Sequence, residues 1–429
     1  MKANATSIIP DNNLKAAKAS GMLSSFAKDM VIKQLRQLRE GQLTIDDQGE
    51  RYYFGDVTGE FPVAAVITIN DPRFYSMLAF GGSIGAGESY IMGHWESDNL
   101  TNVVRIMVRN MELLDNMENG LARLANPIRK VLHWLNRNSL EGSRKNISAH
   151  YDLGNDFFEL FLDPTMMYSC GIFENSDTTM EQASRAKLKR ICDKLDLKPG
   201  DRVVEIGTGW GGFAIYAAKH FGCHVTTTTI SQKQYEWAKR RIQEENLEDR
   251  ITLLFEDYRK LEGQYDKLVS IEMIEAVGHR YYDTFFEKCS DLLKPDGIML
   301  IQAITIADQR YEQAKRSVDF IQRYIFPGSC IPSNTAILNS TTRASDLRLF
   351  HLEDFGPHYA TTLRLWKEQL FRNRDQVRAR GYPDSLMRMW DFYLCYCEGG
   401  FFERAISDVH YIFTKPLNRH KPILPSITF

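Results

Sequence analysis

The chain has 429 residues, 43% of them hydrophobic and 25% charged, and its 53 Lys and Arg against 55 Asp and Glu give a net charge of −2. That length implies two domains, and the near-neutral balance excludes bulk electrostatic attraction to nucleic acid. Seven cysteines with no CxxC pair argue against a disulfide scaffold or zinc site. They imply a reducing compartment, and with no apolar run near the roughly 18 residues of a spanning helix the expected location is the cytoplasm.

Residues 1–10 are polar. From Lys15 to Arg39, Leu23, Phe26, Met30, Ile32, Leu35 and Leu38 recur among lysines and arginines, which predicts a basic amphipathic helix. A short β-rich unit follows at Tyr52–Phe54 and Val63–Ile69. Phe80–Trp95, punctuated by Gly81, Gly82, Gly85, Gly87 and Gly93, reads as a turn region, and Asn102–Met117 as a helix. Residues 121–149 are basic and read as a helix and linker.

From residue 201 the pattern alternates. Strands are predicted at Arg202–Ile206, His224–Ile230, Ile251–Glu256, Lys267–Glu272 and Ile298–Thr305, with helices at Gly212–His220, Gln232–Asn246 and Tyr281–Leu293. Such alternation is the signature of a parallel sheet covered on both faces, an α/β fold of Rossmann type. Asp408–Thr414 is expected to add an antiparallel edge strand. Between them runs an excursion of about 307–400, with helices at Thr361–Arg380 and Ser385–Glu398, expected to form a substrate lid. The domains are therefore drawn at 1–140 and 141–429.

The most informative segment is Val203-Val-Glu-Ile-Gly-Thr-Gly-Trp-Gly-Gly212. A strand that runs into a glycine turn and then a helix makes a nucleotide-type crevice, but the spacing misses the third glycine of G-x-G-x-x-G. Glu205 would repel a pyrophosphate and suits a cationic cofactor, so Glu205, Gly207 and Gly209 point to S-adenosylmethionine. At the end of the next strand, Thr229 and Gln234 stand where ribose hydroxyls are bound. After the third strand, Asp257 can meet the adenine amino group and Tyr258 can pack on its ring.

His150-Tyr-Asp-Leu-Gly-Asn-Asp156, Met167-Tyr-Ser-Cys170, Glu205-Ile-Gly-Thr-Gly-Trp-Gly-Gly212, Asp257-Tyr-Arg259, Glu272-Met-Ile-Glu-Ala-Val-Gly278, Tyr324-Ile-Phe-Pro-Gly328 and Phe355-Gly356 with Tyr359 follow one another in order. Together they resemble the cyclopropane-fatty-acyl-phospholipid synthases and their relatives, the mycolic acid cyclopropane synthases. Gly81–Trp95 also resembles the lipid-binding N-terminal domain of the longer bacterial members, implying a smaller α+β domain there.

The resemblance implies a class I methyltransferase fold and a definite reaction. The π electrons of a cis double bond in a phospholipid acyl chain attack the sulfonium methyl, a carbocation forms, and loss of a proton closes a cyclopropane. It implies that bicarbonate is the base, held by Cys170, Glu275, Gln302, Ile304 and Tyr359, while Tyr168 and Ser169 close over the cofactor carboxylate. Cys397 matches a family cysteine proposed as a nucleophile, although this chemistry needs no covalent intermediate. Gln302 stands where better-known members have histidine. A glutamine donates a hydrogen bond but cannot shuttle a proton, which leaves a methyl- or methylene-branched product open. A lipid-binding protein with a silent methyltransferase fold is the reading from another class.

The implied partners are membrane phospholipids with unsaturated chains, met peripherally at the inner face of the membrane, and a second copy of the chain in a homodimer. Arg364, Lys367, Arg372, Arg374, Arg378, Arg380 and Arg388 offer a basic stretch for an anionic leaflet.

Overall fold

The computed structural model describes residues 21–57, 60–119 and 153–423. The basic linker of 121–149, His150–Asp152, the start of the first predicted helix and the boundary drawn at 140 lie outside them. The chain divides into two compact units. The first holds the described residues up to 119 together with Ser317–Ile321 and Trp366–Ala405; the second holds those from 153 to 316, Gln322–Leu365 and 406 to 423.

In the first unit, the Gly21–Leu35 helix buries Ala27, Val31, Ile32 and Leu35, and Lys28 pairs with Asp47 at 2.7 Å. Its apolar face thus serves the unit's own core. Strands β1 (Gly41–Asp47), β2 (Glu50–Asp56), β3 (Ala64–Ile69) and β4 (Trp95–Ser97) form a sheet in the order β2-β1-β3-β4. The β1–β2 hairpin turns on Gln48 and Gly49, both with positive φ, as a two-residue turn of that hand requires.

The glycine-rich turn region expected at Phe80–Trp95 is instead mostly helix, the C-terminal part of Arg73–Ile91, broken only at Gly82 (φ 59°). Its glycines permit close packing. A Cβ on Gly85 would stand 1.9 Å from the Met77 carbonyl oxygen, and one on Gly87 2.6 Å from the Phe320 ring. Phe320 also meets Phe392 of the Asp384–Phe402 helix, with ring centroids 4.7 Å apart.

The expected lid over 307–400 is not one body, because Trp366–Ala405 groups with the N-terminal elements. Glu403 accepts from Arg105 at 2.7 Å and Arg109 at 2.8 Å, Thr101 donates to Glu398 at 2.8 Å, and the Tyr90 hydroxyl donates to Asp391 at 2.5 Å. The helix predicted at Thr361–Arg380 is two, Pro357–Arg372 and Arg374–Ala379. No described helix is long and apolar enough to cross a membrane.

The second unit is a seven-stranded α/β sheet of β5 (Arg202–Ile206), β6 (His224–Thr229), β7 (Ile251–Phe255), β8 (Tyr265–Ile271), β9 (Leu293–Ile306), β10 (Arg348–Asp354) and β11 (Ile406–Thr414). The order is β10-β11-β9-β8-β5-β6-β7, with β5 to β9 parallel. β11 is antiparallel to β9, as expected, but it is not the edge, since β10, from within the 307–400 excursion, pairs antiparallel outside it. Burial explains the difference. Val409 to Phe413 are buried on both faces, the mark of an interior strand, whereas β10 is largely open. From β5 the chain steps outward to β6 and β7 on one side and then crosses to β8 and β9 on the other, so the strand order reverses beside β5, at whose carboxyl end such folds bind ligands.

Candidate active site

At that end of β5, Gly207, Gly209 and Gly211 take φ of +97°, +53° and +86°, a region that side chains with a Cβ rarely enter. The Gly207 and Thr208 amides both donate to the Thr228 carbonyl, at 3.2 and 2.9 Å, which clamps the turn to β6. No atom lies within 4 Å of where a Cβ on Gly209 would stand, and the Thr208 hydroxyl is buried without a partner. An open approach beside an orphaned polar atom suits a bound small molecule. Glu205 is buried and accepts from Thr227 at 2.6 Å. Burial raises its carboxyl to about 8, so a cationic ligand beside it would restore the charged form.

The other expected cofactor residues are largely engaged with one another. Thr229 donates to Gln234 at 2.9 Å at the start of the Gln232–Glu244 helix. Arg259 donates to both oxygens of Asp257, at 2.8 and 2.6 Å, so a contact from Asp257 to an adenine must compete with that pair. Tyr258 packs edge-on against Phe285 at 5.6 Å, and its hydroxyl is buried without a partner. Tyr168 joins Phe158, Phe161 and Phe326 at 5.3, 6.2 and 6.4 Å. The Ser169 hydroxyl accepts from the buried Lys187 ammonium.

Beyond β8 the register gathers a second set of groups. Ile271 pairs with Gln302 on β9, and Gln302 and Ile304 lie opposite His410 and Asp408 on β11. Positions two apart share a face, so a carboxylate just past β8 meets polar groups from both neighbouring strands. Glu272 is that carboxylate. Its Oε1 accepts from the Cys170 amide at 2.8 Å and Gln302 Nε2 at 2.7 Å, and its Oε2 from the Tyr359 hydroxyl at 2.6 Å. Gln302 Nε2 also donates to Asp408 Oδ2 at 2.8 Å, while Asp408 Oδ1 is buried without a partner. Glu275, in the short Ile274–Val277 helix, accepts from the Ile304 amide at 2.5 Å, and its Oε2 has no partner.

The electrostatics are correspondingly unusual. Burial and the Glu272 charge raise Glu275 to about 8, and burial with both glutamates pushes Asp408 well above the carboxylate range. Burial also pushes Glu272 up, with Lys187, Tyr359 and the Cys170 amide pulling it back. Behind Gln302, His410 stands 3.2 Å from its Oε1 and 3.0 Å from Lys194 Nζ, and burial holds it neutral.

The structure thus brings Cys170, Glu275, Gln302, Ile304 and Tyr359 together. The donors that the resemblance gives to bicarbonate, however, already end on Glu272, Glu275 or Asp408, so bicarbonate does not fit them as they stand. The Cys170 thiol is buried and pushed up by that burial. Cys397 belongs to the first unit, and burial pushes its thiol up too, away from the thiolate a nucleophile needs. The residues missed by sequence reasoning are Glu272, Asp408, His410 and Lys187. The available signal was Asp408 and His410 alternating at the head of an apolar strand.

Strand order, the open glycine turn and the acid cluster define the class: an α/β enzyme with the fold of the S-adenosylmethionine-dependent methyltransferases. The particular family follows from comparison. The family model for mycolic acid cyclopropane synthetase matches residues 138–412, and the chain belongs to that family. It is 38% identical over 338 residues to the tuberculostearic acid methyltransferase UfaA1 of Mycobacterium tuberculosis, covering 75% of this chain and 76% of that one. It is 37% identical over 367 residues to the cyclopropane-fatty-acyl-phospholipid synthase of Escherichia coli, covering 84% and 90%. Among solved structures, the mycolic acid cyclopropane synthase CmaA1 complexed with SAH and CTAB matches with a TM-score of 0.58 at 30% identity, covering 63% of this chain and 98% of that one.

Proposed function

We propose that this enzyme adds a one-carbon unit from S-adenosylmethionine to a cis double bond of a phospholipid acyl chain and closes it to a cyclopropane. The observation that carries this reading is the cluster of Glu272, Glu275 and Asp408, gathered in the same unit as the open glycine turn. The cofactor residues in this reading are Glu205, Gly207, Gly209, Thr229, Gln234, Asp257 and Tyr258, with Tyr168 and Ser169. Bound there, S-adenosylmethionine supplies an electrophilic methyl to the π electrons of the double bond, which leaves positive charge on the acyl chain.

The protein's own residues then have two tasks. Aromatic faces such as Tyr168 and Phe326 stabilise the cation and keep water from it, and a carboxylate of the cluster accepts the proton. The donors named for bicarbonate are engaged by Glu272, Glu275 and Asp408. A branched product is the second reading, favoured by Gln302 being tied between Glu272 and Asp408 and by the likeness to a tuberculostearic acid methyltransferase.

The test is to incubate the enzyme with S-adenosylmethionine and vesicles of oleoyl phospholipid and analyse the acyl chains. A mass gain of one methylene with cyclopropane protons by NMR supports the main reading. Olefinic methylene protons replace it with the second. No mass gain overturns both.

Peripheral contact with the membrane is part of the proposal, although much of the basic stretch is internally matched. Arg378 pairs with Asp384 at 2.8 Å, Arg372 with Glu368 at 3.7 Å, and Arg388 donates to the Trp95 carbonyl at 3.0 Å. Charge reversal at Arg372, Arg374 and Arg378 is expected to weaken co-sedimentation with anionic vesicles, and unchanged co-sedimentation would remove this stretch from the contact.

A further inference from the structure

Glu272 has a backbone that a glutamate seldom adopts. Its φ is +47°, in the left-handed region where a Cβ is disfavoured, and such strain persists only where the surroundings over-determine it. Three donors do so: the Cys170 amide at 2.8 Å, Gln302 Nε2 at 2.7 Å and the Tyr359 hydroxyl at 2.6 Å. They come from a loop, a strand and a helix, and together they aim the carboxylate rather than merely satisfy it.

Of the three clustered acids, Glu272 is the least buried. Asp408 is 0% exposed and Glu275 9%, each with one carboxylate oxygen that has no partner. The least buried of the three acids is therefore also the one held by the most donors.

We propose that Glu272 is the enzyme's built-in base, occupying with its own carboxylate the donor set that would otherwise hold a small anion. The inference rests on the carbon-transfer reading above and specifies its last step. One C–H bond of the transferred methyl breaks, its electron pair forms the closing C–C bond, and the proton goes to a Glu272 carboxylate oxygen. If the product is methylene-branched, a 1,2-hydride shift first moves the positive charge to the carbon that bears the new methyl, and the same C–H pair then forms a C=C bond. Release of the proton to water restores the carboxylate for the next turnover. Gln302, which cannot itself carry a proton, positions Glu272 by donating to it.

Two properties follow. The reaction needs no dissolved bicarbonate, and removing the Glu272 side chain empties a donor set of the right kind for one. The experiment measures lipid product with the full-length enzyme, S-adenosylmethionine and oleoyl phosphatidylglycerol vesicles, in carbon-dioxide-depleted buffer and again with added bicarbonate. The wild-type rate is expected to be the same in both. Glu272→Gln is expected to lose at least about 100-fold in product formation, the range of a positioned base, while keeping its affinity for S-adenosylmethionine in calorimetry. Glu272→Gly, which also relieves the strained φ, is expected to be equally slow in depleted buffer and to recover at least about tenfold with bicarbonate.

A wild-type rate that collapses on depletion overturns the proposal without touching the underlying reading, and so does Glu272→Gln turning over near the wild-type rate. Absence of any lipid product from the wild type under both conditions overturns the underlying reading and this inference with it.

Discussion

Both units bury acidic side chains, but they partner them differently. In the first unit Glu403 is matched by Arg105 and Arg109, and Glu398 by Thr101 and Lys367, the latter at 3.4 Å. In the second, Glu275 and Asp408 each keep an orphaned oxygen, and neighbouring acids add to burial in pushing the proton affinity of both upwards. Matched acids fasten a fold. Unmatched ones cost stability and persist where chemistry needs them.

The sharpest way to break this contrast is to neutralise one acid of each kind. Glu275→Gln is expected to lower turnover by less than Glu272→Gln does, because Glu275 borders the base rather than taking the proton itself, with cofactor affinity unchanged in calorimetry; a near-wild-type rate would remove Glu275 from the chemistry. Glu403→Ala is expected to lower unfolding stability by about 2–3 kcal/mol in urea, less than a fully buried pair because its side chain and its partners keep 12 to 18% exposure.

The pH dependences should run in opposite directions. Burial resists the charge on Glu403, but its two arginines win and hold its carboxyl below the usual range. The stability it contributes is present above the unfolded value and is lost as pH falls through the folded one, so Glu403→Gln should cost more at pH 7 than at pH 4. Glu275 is raised from 4.5 to about 8, so the folded state holds its proton longer than the unfolded state and stability declines between those values. Glu275→Gln should therefore be more stable than wild type at pH 8 and converge with it near pH 4.5. Urea melts across that range that ran parallel for the two variants would erase the distinction.

The smallest effect is expected at Asp408. Since burial keeps it largely protonated, Asp408→Asn preserves an acceptor for Gln302 and should shift stability by less than about 1 kcal/mol. A larger loss would show that its charged form matters.

Legibility differed in the same way between two glycine-rich segments. Gly207 to Gly212 could be read because a strand before and a helix after define what the glycines are for. Gly81 to Gly93 misled, because Gly85 and Gly87 are small for the sake of Met77 and Phe320, and Phe320 is distant in sequence. Likewise, the helices of 366–405 were visible, but their allegiance to the N-terminal elements depends on contacts such as Arg105 with Glu403, which no local pattern announces. Gln302 is legible as a departure from the family's histidine, yet its consequence lies in Glu272, Asp408 and His410, three residues on other segments.

The sequence by itself determined the alternation of strands and helices, the sharp turn after β5 and membership of the family, because backbone preference and hydrophobic period are properties of neighbouring residues. Tertiary structure decided which strand closes the sheet, which carboxylate receives the Cys170, Gln302 and Tyr359 donors, and which acids are left unmatched. Those depend on register across β8, β9 and β11 and on the burial it enforces, where a charge's partners and its solvation are fixed only once distant segments meet.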